Sequence, residues 1–172
     1  NVLGYPIIEQ RGKQSQLLKM DVLVLGTKDD LSTKMKKLFD QITEIIDIFK
    51  PDILAIEAPF FGKNVQSMLK LGRAQGICIA AAFSRSIPFV EYSPRKIKQS
   101  ITGNGAASKE QVANMLQRMF NFEAIPSYLD ATDALAVAVC HSYQKEELMV
   151  SSSSVKKTSS KKTSWASFVS QN

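Results

Sequence analysis

Apolar residues in the first third of the chain follow two patterns, one typical of a hairpin and one typical of a helix. The apolar segments Val2–Gln10 and Leu17–Leu25 flank a polar turn at 11–14, which predicts a β-hairpin. From Leu31 to Phe49 the apolar positions return at helical spacing, and Pro51 ends that helix. The predicted start of the fold is therefore a hairpin followed by an amphipathic helix.

Short apolar runs and helical stripes alternate through the rest of the chain. The predicted elements are, in order, a strand at 53–57, a helix at 65–83, a strand at 87–92 and helices at 95–100, 108–120 and 129–145. Ser108, with Gln111 three residues later, forms a capping box that begins one of these helices. This order mixes antiparallel and parallel strand pairing, so we predict an α/β fold built as a three-layer sandwich.

A change of composition separates a predicted domain from a tail. The chain has 172 residues, of which 44% are apolar and 22% charged, as in ordinary soluble domains. Residues 151–172 contain nine serines and four lysines and little that could pack. We therefore predict one domain at 1–148 and a disordered tail at 149–172. No apolar run approaches the roughly 18 residues that a membrane-spanning helix needs.

Cysteine usage and net charge limit the cellular compartments and the kinds of binding surface that the protein can have. Cys78 and Cys140 both fall in apolar helical stretches, so we predict buried free thiols in a reducing cytoplasm. The single histidine, His141, excludes a histidine-rich metal cluster. The formal net charge is +6, but the tail lysines leave only +2 for the remainder (18 basic and 16 acidic residues). Any DNA-binding surface of the domain must therefore come from local clustering of charge.

A carboxylate stands at the end of the predicted buried strand. Pro59 cannot donate to a sheet ladder, so the strand should stop there and leave Glu57 at its carboxyl end. A buried carboxylate needs a cation or a hydrogen-bond donor. The following loop carries Phe60, Phe61 and Lys63, and Asn64 is a good N-cap for the next helix. This layout suits a site that handles a phosphate backbone.

Two further carboxylates begin the last helix. Asp130 and Asp133 are three residues apart, hence neighbours on one helix face, and the helix behind them is small and apolar. Acids are common at helix N-termini, and Asp130 could simply be a cap. Together with Glu57, however, they make an all-oxygen set that favours Mg²⁺ or Mn²⁺. Carboxylate clusters that hold two such ions are a standard device for phosphodiester cleavage.

Small residues line one face of the helix predicted at 65–83. Gly72, Gly76 and Ala80 fall four residues apart. Each glycine inside a helix costs about 1 kcal/mol. We therefore expect close packing of this face, either on the sheet or on a second subunit.

Three segments, at 55–76, 91–112 and 129–141, resemble RuvC-type Holliday-junction resolvases, which are endonucleases of the RNase H-like superfamily. The resemblance implies a mixed five-stranded sheet with helices on both faces. One departure is marked: the family's first catalytic aspartate, in a Gly-Ile-Asp-Pro-Gly strand, should directly precede Asn1 and is not in this sequence. That strand should lie between the strands at 2–10 and 53–57. We therefore expect that this sequence is an N-terminally truncated form of an active enzyme, and that residues 1–172 alone do not cleave DNA. Pro6, where the family has glycine, is a smaller departure.

The resemblance also implies roles for individual residues. Glu57, Asp130 and Asp133 match catalytic, metal-binding acids, Lys98 and Lys109 match catalytic lysines, and His141 matches a recurrent histidine that we interpret as a packed helical residue. Phe60 matches an aromatic residue that the family places against bases near the crossover. The predicted DNA-binding residues are Phe60, Lys63, Asn64, Arg95, Lys96, Lys98 and Lys109.

The function implied by the resemblance is the resolution of four-way DNA junctions in recombination and repair. A homodimer would nick two strands of like polarity with Mg²⁺, in one or two ions, or with Mn²⁺ in its place. The RuvA–RuvB branch-migration complex is the implied partner. Two alternatives stay open: an inactive junction-binding module, and an RNase H-like nuclease that acts on RNA–DNA hybrids.

Overall fold

The computed structural model describes residues 2–12, 14–26, 28–59, 64–122 and 129–152, with 145–152 described by their backbone alone. Four strands and five helices lie in these ranges, in the predicted order. They are β1 (Val2–Arg11), β2 (Gln14–Val24), α1 (Leu31–Phe49), β3 (Leu54–Glu57), α2 (Val65–Phe83), β4 (Phe89–Tyr92), α3 (Pro94–Thr102), α4 (Lys109–Phe120) and α5 (Leu129–Ser152). None of the helices in the described part of the chain is long and apolar enough to span a membrane.

The four strands form two separate pairs. β1 and β2 are antiparallel, and β3 pairs with β4 in parallel. No strand in the described ranges lies between β1 and β3, and these two are not paired with each other. α5 packs on β1, β2 and β3, so that helix ties the two pairs together.

The hairpin is tighter than its pattern predicts. Arg11 pairs with Gln14 in register, so β2 begins at Gln14 rather than at the predicted Leu17. The turn contains Gly12, whose φ of 58° lies in the left-handed region that favours glycine. The strand ladder therefore extends almost to the tip of the hairpin and includes the polar residues Arg11 and Gln14.

Two hydrophobic clusters show the three layers. One cluster joins α1 and α2 to one face of β1 and β2, from which Leu3 and Tyr5 project. The other joins α3, α4 and α5 to the opposite face, from which Ile8 projects. The free thiols are buried on both sides, Cys78 in the first cluster and Cys140 in the second, as predicted.

Local signals placed most helix starts correctly. The Asn64 side chain accepts a hydrogen bond from the Ser67 backbone N–H at 3.1 Å, which is the predicted N-cap. The predicted capping box between Ser108 and Gln111 is present with both of its hydrogen bonds. These caps hold the helices that carry Gln75 and Lys109.

Other boundaries also differ from the prediction. β4 begins at Phe89 rather than at residue 87, because Ile87 closes the end of α2: its N–H donates to the Ala82 carbonyl at 3.0 Å, and Ser86 before it has a φ of 58°. α5 runs to Ser152, beyond its predicted end at 145, since no glycine or proline interrupts the sequence there. The rest of the predicted tail, 153–172, lies outside the described residues.

Candidate active site

Glu57 lies at the carboxyl end of β3, where predicted. It stands in register with Tyr92 of β4, and the next residue, Ala58, donates its N–H to the Tyr92 carbonyl at 2.8 Å. Gln75 of α2 donates from Nε2 to the Glu57 carbonyl at 2.6 Å. Burial, and secondarily the charge of Asp133, raise the pKa of the Glu57 carboxyl. Hydrogen bonds with β4 and with the Gln75 side chain therefore fix the end of β3, and the Glu57 carboxylate is partly buried there.

Asp133 of α5 meets Lys109 of α4 at the same edge of the sheet. The Lys109 ammonium lies 2.5 Å from Asp133 Oδ2. This hydrogen bond raises the pKa of Lys109, and the charges of Glu57 and Asp130 act in the same direction. Lys109 is the first residue of α4 after the Ser108 cap, so the capping box fixes the backbone from which it reaches Asp133.

The structure brings together the predicted catalytic residues. Lys98 on α3 and Lys109 both act on the Glu57 carboxyl, since each lowers a pKa that burial and Asp133 raise. Asp130, one turn before Asp133, lies within electrostatic reach of Lys109. Three carboxylates and two lysines from β3, α3, α4 and α5 therefore share one region.

The donor chemistry of this cluster fits a hard cation, but the cluster does not by itself enclose one. Glu57, Asp130 and Asp133 offer only oxygen donors, which Mg²⁺ and Mn²⁺ prefer. Over the residues that the structure describes, no group of three or more His, Cys, Asp and Glu side chains is close enough to hold a metal ion. Asp133 is paired with Lys109 instead, so the role of the three carboxylates as metal ligands stays a prediction.

A basic groove extends from this cluster along α3. A cavity of about 580 Å³ is lined by Arg95 and Lys98 on the helix and by the loop at 103–106. A neighbouring cavity of about 610 Å³ is lined by Arg95, Lys96 and Gln144, among others. Arg95 and Lys96 are both exposed. The two cavities share Arg95 and Gln99, so they adjoin along the exposed basic side of α3.

Several predicted contacts stay predictions. Phe60, Phe61 and Lys63 lie outside the described residues. Asn64 is described, and its side-chain oxygen serves the N-cap of α2. His141 lies on α5 with Nδ1 at 2.8 Å from the Tyr92 hydroxyl, a packed position as interpreted from the sequence.

Sequence reasoning missed two residues that support the site. Gln75 and Tyr92 contact the end of β3, yet each lies far from Glu57 along the chain. No local pattern marks them, because their roles depend on how α2 and β4 pack beside β3.

The small face of α2 packs against no other element among the described residues. Gly72, Gly76 and Ala80 are exposed, and a methyl group on either glycine would meet no atom within 4 Å. Three large apolar residues extend the same stripe: Val65 (62% exposed), Leu69 (51%) and Phe83 (57%). This face therefore does not pack on the sheet in the part of the chain that the structure describes, and its packing on a second subunit stays a prediction.

Comparison with known proteins gives consistent matches. The family profile described as "Crossover junction endodeoxyribonuclease RuvC" matches residues 1–141. A protein of that description from Cytophaga hutchinsonii is 52% identical over 172 residues, covering 100% of this chain and 81% of the relative. One from Porphyromonas gingivalis is 51% identical, covering 99% of this chain and 89% of the relative.

The solved structures agree with the sequence matches. The structure of T. thermophilus RuvC in complex with a Holliday junction substrate superposes with a TM-score of 0.77 at 25% identity. The match covers 85% of this chain and 95% of that one. The likeness confirms the predicted RNase H-like fold class.

Proposed function

We propose, from the premise that this chain belongs to the family of RuvC crossover junction endodeoxyribonucleases, that it resolves four-way DNA junctions in recombination and repair. The reaction is hydrolysis of a phosphodiester bond in each of two strands. The observation that carries the proposal is the cluster of Glu57, Asp133, Lys109 and Lys98 at the carboxyl end of β3. Acids that hold cations, beside lysines that face phosphates, are what such hydrolysis requires.

The acidic and the basic residues of the cluster have different proposed roles. Glu57, Asp130 and Asp133 are the proposed ligands of Mg²⁺, in one or two ions, with Mn²⁺ as a substitute. When bound, such ions lower the pKa of a water molecule and stabilise the leaving oxygen. Lys98 and Lys109 orient the scissile phosphate and stabilise the negative charge that develops on it. Gln75 holds the backbone of Glu57 so that its carboxylate keeps one position.

The basic groove on α3 is the proposed path of one junction arm. Arg95 lines both of its cavities and Lys96 lines one, and both residues are exposed. Contacts of this kind go to phosphates, so they set the position of the DNA without reading its sequence.

Replacing both Arg95 and Lys96 by alanine should weaken junction binding and make it less salt-dependent. Each lost phosphate contact lowers the slope of log K against log salt by about 1. Fluorescence anisotropy of a labelled junction over a salt series measures this slope. Lys36→Ala is the control, since Lys36 lies on α1 and pairs with Asp40. An unchanged slope in the double variant would place the DNA elsewhere.

We further propose that two copies associate through the α2 stripe, defined by Val65, Leu69, Gly72, Gly76, Ala80 and Phe83. The stripe is apolar and exposed, and its small centre lets two helix backbones approach closely. A two-fold protein would present two active sites to a junction whose arms are themselves symmetric.

Gly76→Leu should convert the dimer to monomers and abolish paired nicking. A leucine side chain at the centre of the stripe would hold the two helices apart, while open space around Gly76 lets the subunit itself fold. Sedimentation velocity measures the change, with Lys70→Leu as the matched control at an exposed position off the stripe. If Gly76→Leu stays dimeric and active, the interface lies on another surface.

Two further features of the proposal come from the family. We infer that the protein acts with the RuvA–RuvB branch-migration complex, which the resemblance implies. We also infer a reducing cytoplasm, which suits the buried free thiols Cys78 and Cys140.

A substrate panel tests the proposed function against its alternatives. The complete gene product, with Mg²⁺, is given equal amounts of a four-way junction, a linear duplex and an RNA–DNA hybrid of the same sequence. The proposal requires cleavage of the junction and little of the other two. Preferential cleavage of the hybrid would indicate a different RNase H-like nuclease. Tight binding of the junction without cleavage would indicate a binding module.

A further inference from the structure

Gly4 of β1 lies against the backbone of the turn that carries the catalytic acids. It stands on the face of the hairpin that α5 covers, the face from which Ile8 projects. A methyl group on Gly4 would lie 2.1 Å from the Asp130 carbonyl oxygen, 2.3 Å from its carbonyl carbon and 2.6 Å from the Ala131 nitrogen. The strand and the first turn of α5 are thus in direct backbone contact.

No side chain can relieve this contact. All three nearest atoms belong to the helix backbone, so a larger residue at position 4 must displace backbone atoms. β1 is paired with β2 along its whole length, which leaves the start of α5 to move. Since carbon atoms in contact lie about 3.5–4.0 Å apart, the turn would shift by roughly 1 Å or more. The contact differs from that of Gly105, where the nearest atom is Cγ of the flexible Arg95 side chain.

The buried part of α5 fixes where such a shift would go. Leu135 and Val139 are fully buried in the cluster with α3 and α4, which resists movement of the middle of the helix. At the N-terminal end of α5, Leu129 and Asp130 are exposed, whereas Ala131 and Thr132 are buried. A shift forced by a side chain at position 4 acts directly on the Asp130 carbonyl, so it falls on the end of α5 that carries Asp130 and, one turn later, Asp133.

The structure assigns Gly4 as a positioning residue for the junction-cleavage reaction: its missing side chain sets the distance between β1 and the acidic turn of α5. This inference rests on the proposed function. Gly4 does not touch the substrate and acts through the backbone of Asp130. A shift of about 1 Å at a reacting group can lower a rate by about a hundredfold.

Gly4→Ala in the complete gene product tests the assignment. We expect single-turnover junction cleavage to fall about a hundredfold, while junction affinity in the absence of divalent metal stays within about twofold. Because the acids move apart from Glu57, the Kd for Mn²⁺ measured by calorimetry on the free protein should rise about tenfold or more.

Two control variants separate positioning from loss of stability. Val139→Ala removes buried volume from α5 without pushing on its first turn, and it should keep its cleavage rate and Mn²⁺ affinity when folded. Gly12→Asn changes a glycine of the same hairpin at a turn where nothing lies within 4 Å. Circular dichroism and thermal melting are recorded for all three.

The outcomes are distinct. Slow cleavage and weak Mn²⁺ binding by folded Gly4→Ala, with both controls near the parent, support the assignment. A folded Gly4→Ala that cleaves within about threefold of the parent overturns it, and so does a Gly4→Ala that fails to fold, since Gly4 would then serve the fold as a whole. Failure of the parent itself to cleave would overturn the proposed function instead.

Discussion

Replacement of any one of the three clustered acids should abolish Mg²⁺-dependent cleavage and spare junction binding. We expect Glu57→Gln, Asp130→Asn and Asp133→Asn each to lower the single-turnover rate by about a thousandfold or more, the upper end of losses from one electrostatic group. The acids are proposed to hold metal ions, whereas phosphate contacts come from lysine and arginine. Junction affinity should therefore stay at the parent level or rise slightly, because one negative charge is lost.

The measurement pairs a cleavage assay with anisotropy on the same junction. Asp40→Asn is the matched control, since Asp40 is a carboxylate on α1, in the opposite layer, and is likewise paired with a lysine. If one of the three variants still cleaves near the parent rate, that residue is not a metal ligand. If cleavage and binding are lost together, the acids serve the fold or the DNA contact.

Lys109→Ala should slow the chemical step and at the same time tighten metal binding. Lys109 lies 2.5 Å from Asp133 and faces the charges of Glu57 and Asp130. Its removal takes away a cation that competes with metal for Asp133, so less Mg²⁺ should be needed for half-maximal rate. The rate at saturating Mg²⁺ should nevertheless fall by at least about tenfold, because the developing charge on the phosphate loses a partner.

Lys98→Ala should reproduce the slower rate with a smaller change in metal dependence, since Lys98 acts on Glu57 and shows no ion pair with Asp133. Lys36→Ala is the control, because Lys36 forms an ion pair of the same 2.5 Å length with Asp40 on α1. Unchanged saturated rates in both Lys98→Ala and Lys109→Ala would make these residues ordinary surface lysines.

The parts of the fold that the sequence predicts well depend on short-range signals. The N-cap at Asn64 and the capping box of Ser108 and Gln111 involve residues three positions apart, so their geometry is set by the local backbone. The start of β4 is not predicted correctly by the sequence pattern. Ile87 has the character of a strand residue, but its N–H closes the preceding helix, which is a competition that the pattern does not reveal.

The site depends on contacts between segments that are distant along the chain, and the sequence alone does not predict such contacts. Lys109 and Asp133 are 24 residues apart, and Gln75 and Glu57 are 18 apart. The family resemblance pointed to Lys109, but only the packing of α4 against α5 shows that it pairs with Asp133. Gly4 is an intermediate case: a glycine inside a strand indicates a close backbone approach, yet not which backbone approaches.

Junction resolution is tested most directly by mapping the nicks that the complete gene product makes in a four-way junction, with each strand labelled in turn and Mg²⁺ in excess. We expect two nicks in strands of like polarity, at symmetric positions about the crossover, and both should be sealed by DNA ligase. A single nick, nicks scattered along the arms, or an intact junction bound by folded protein would contradict this expectation.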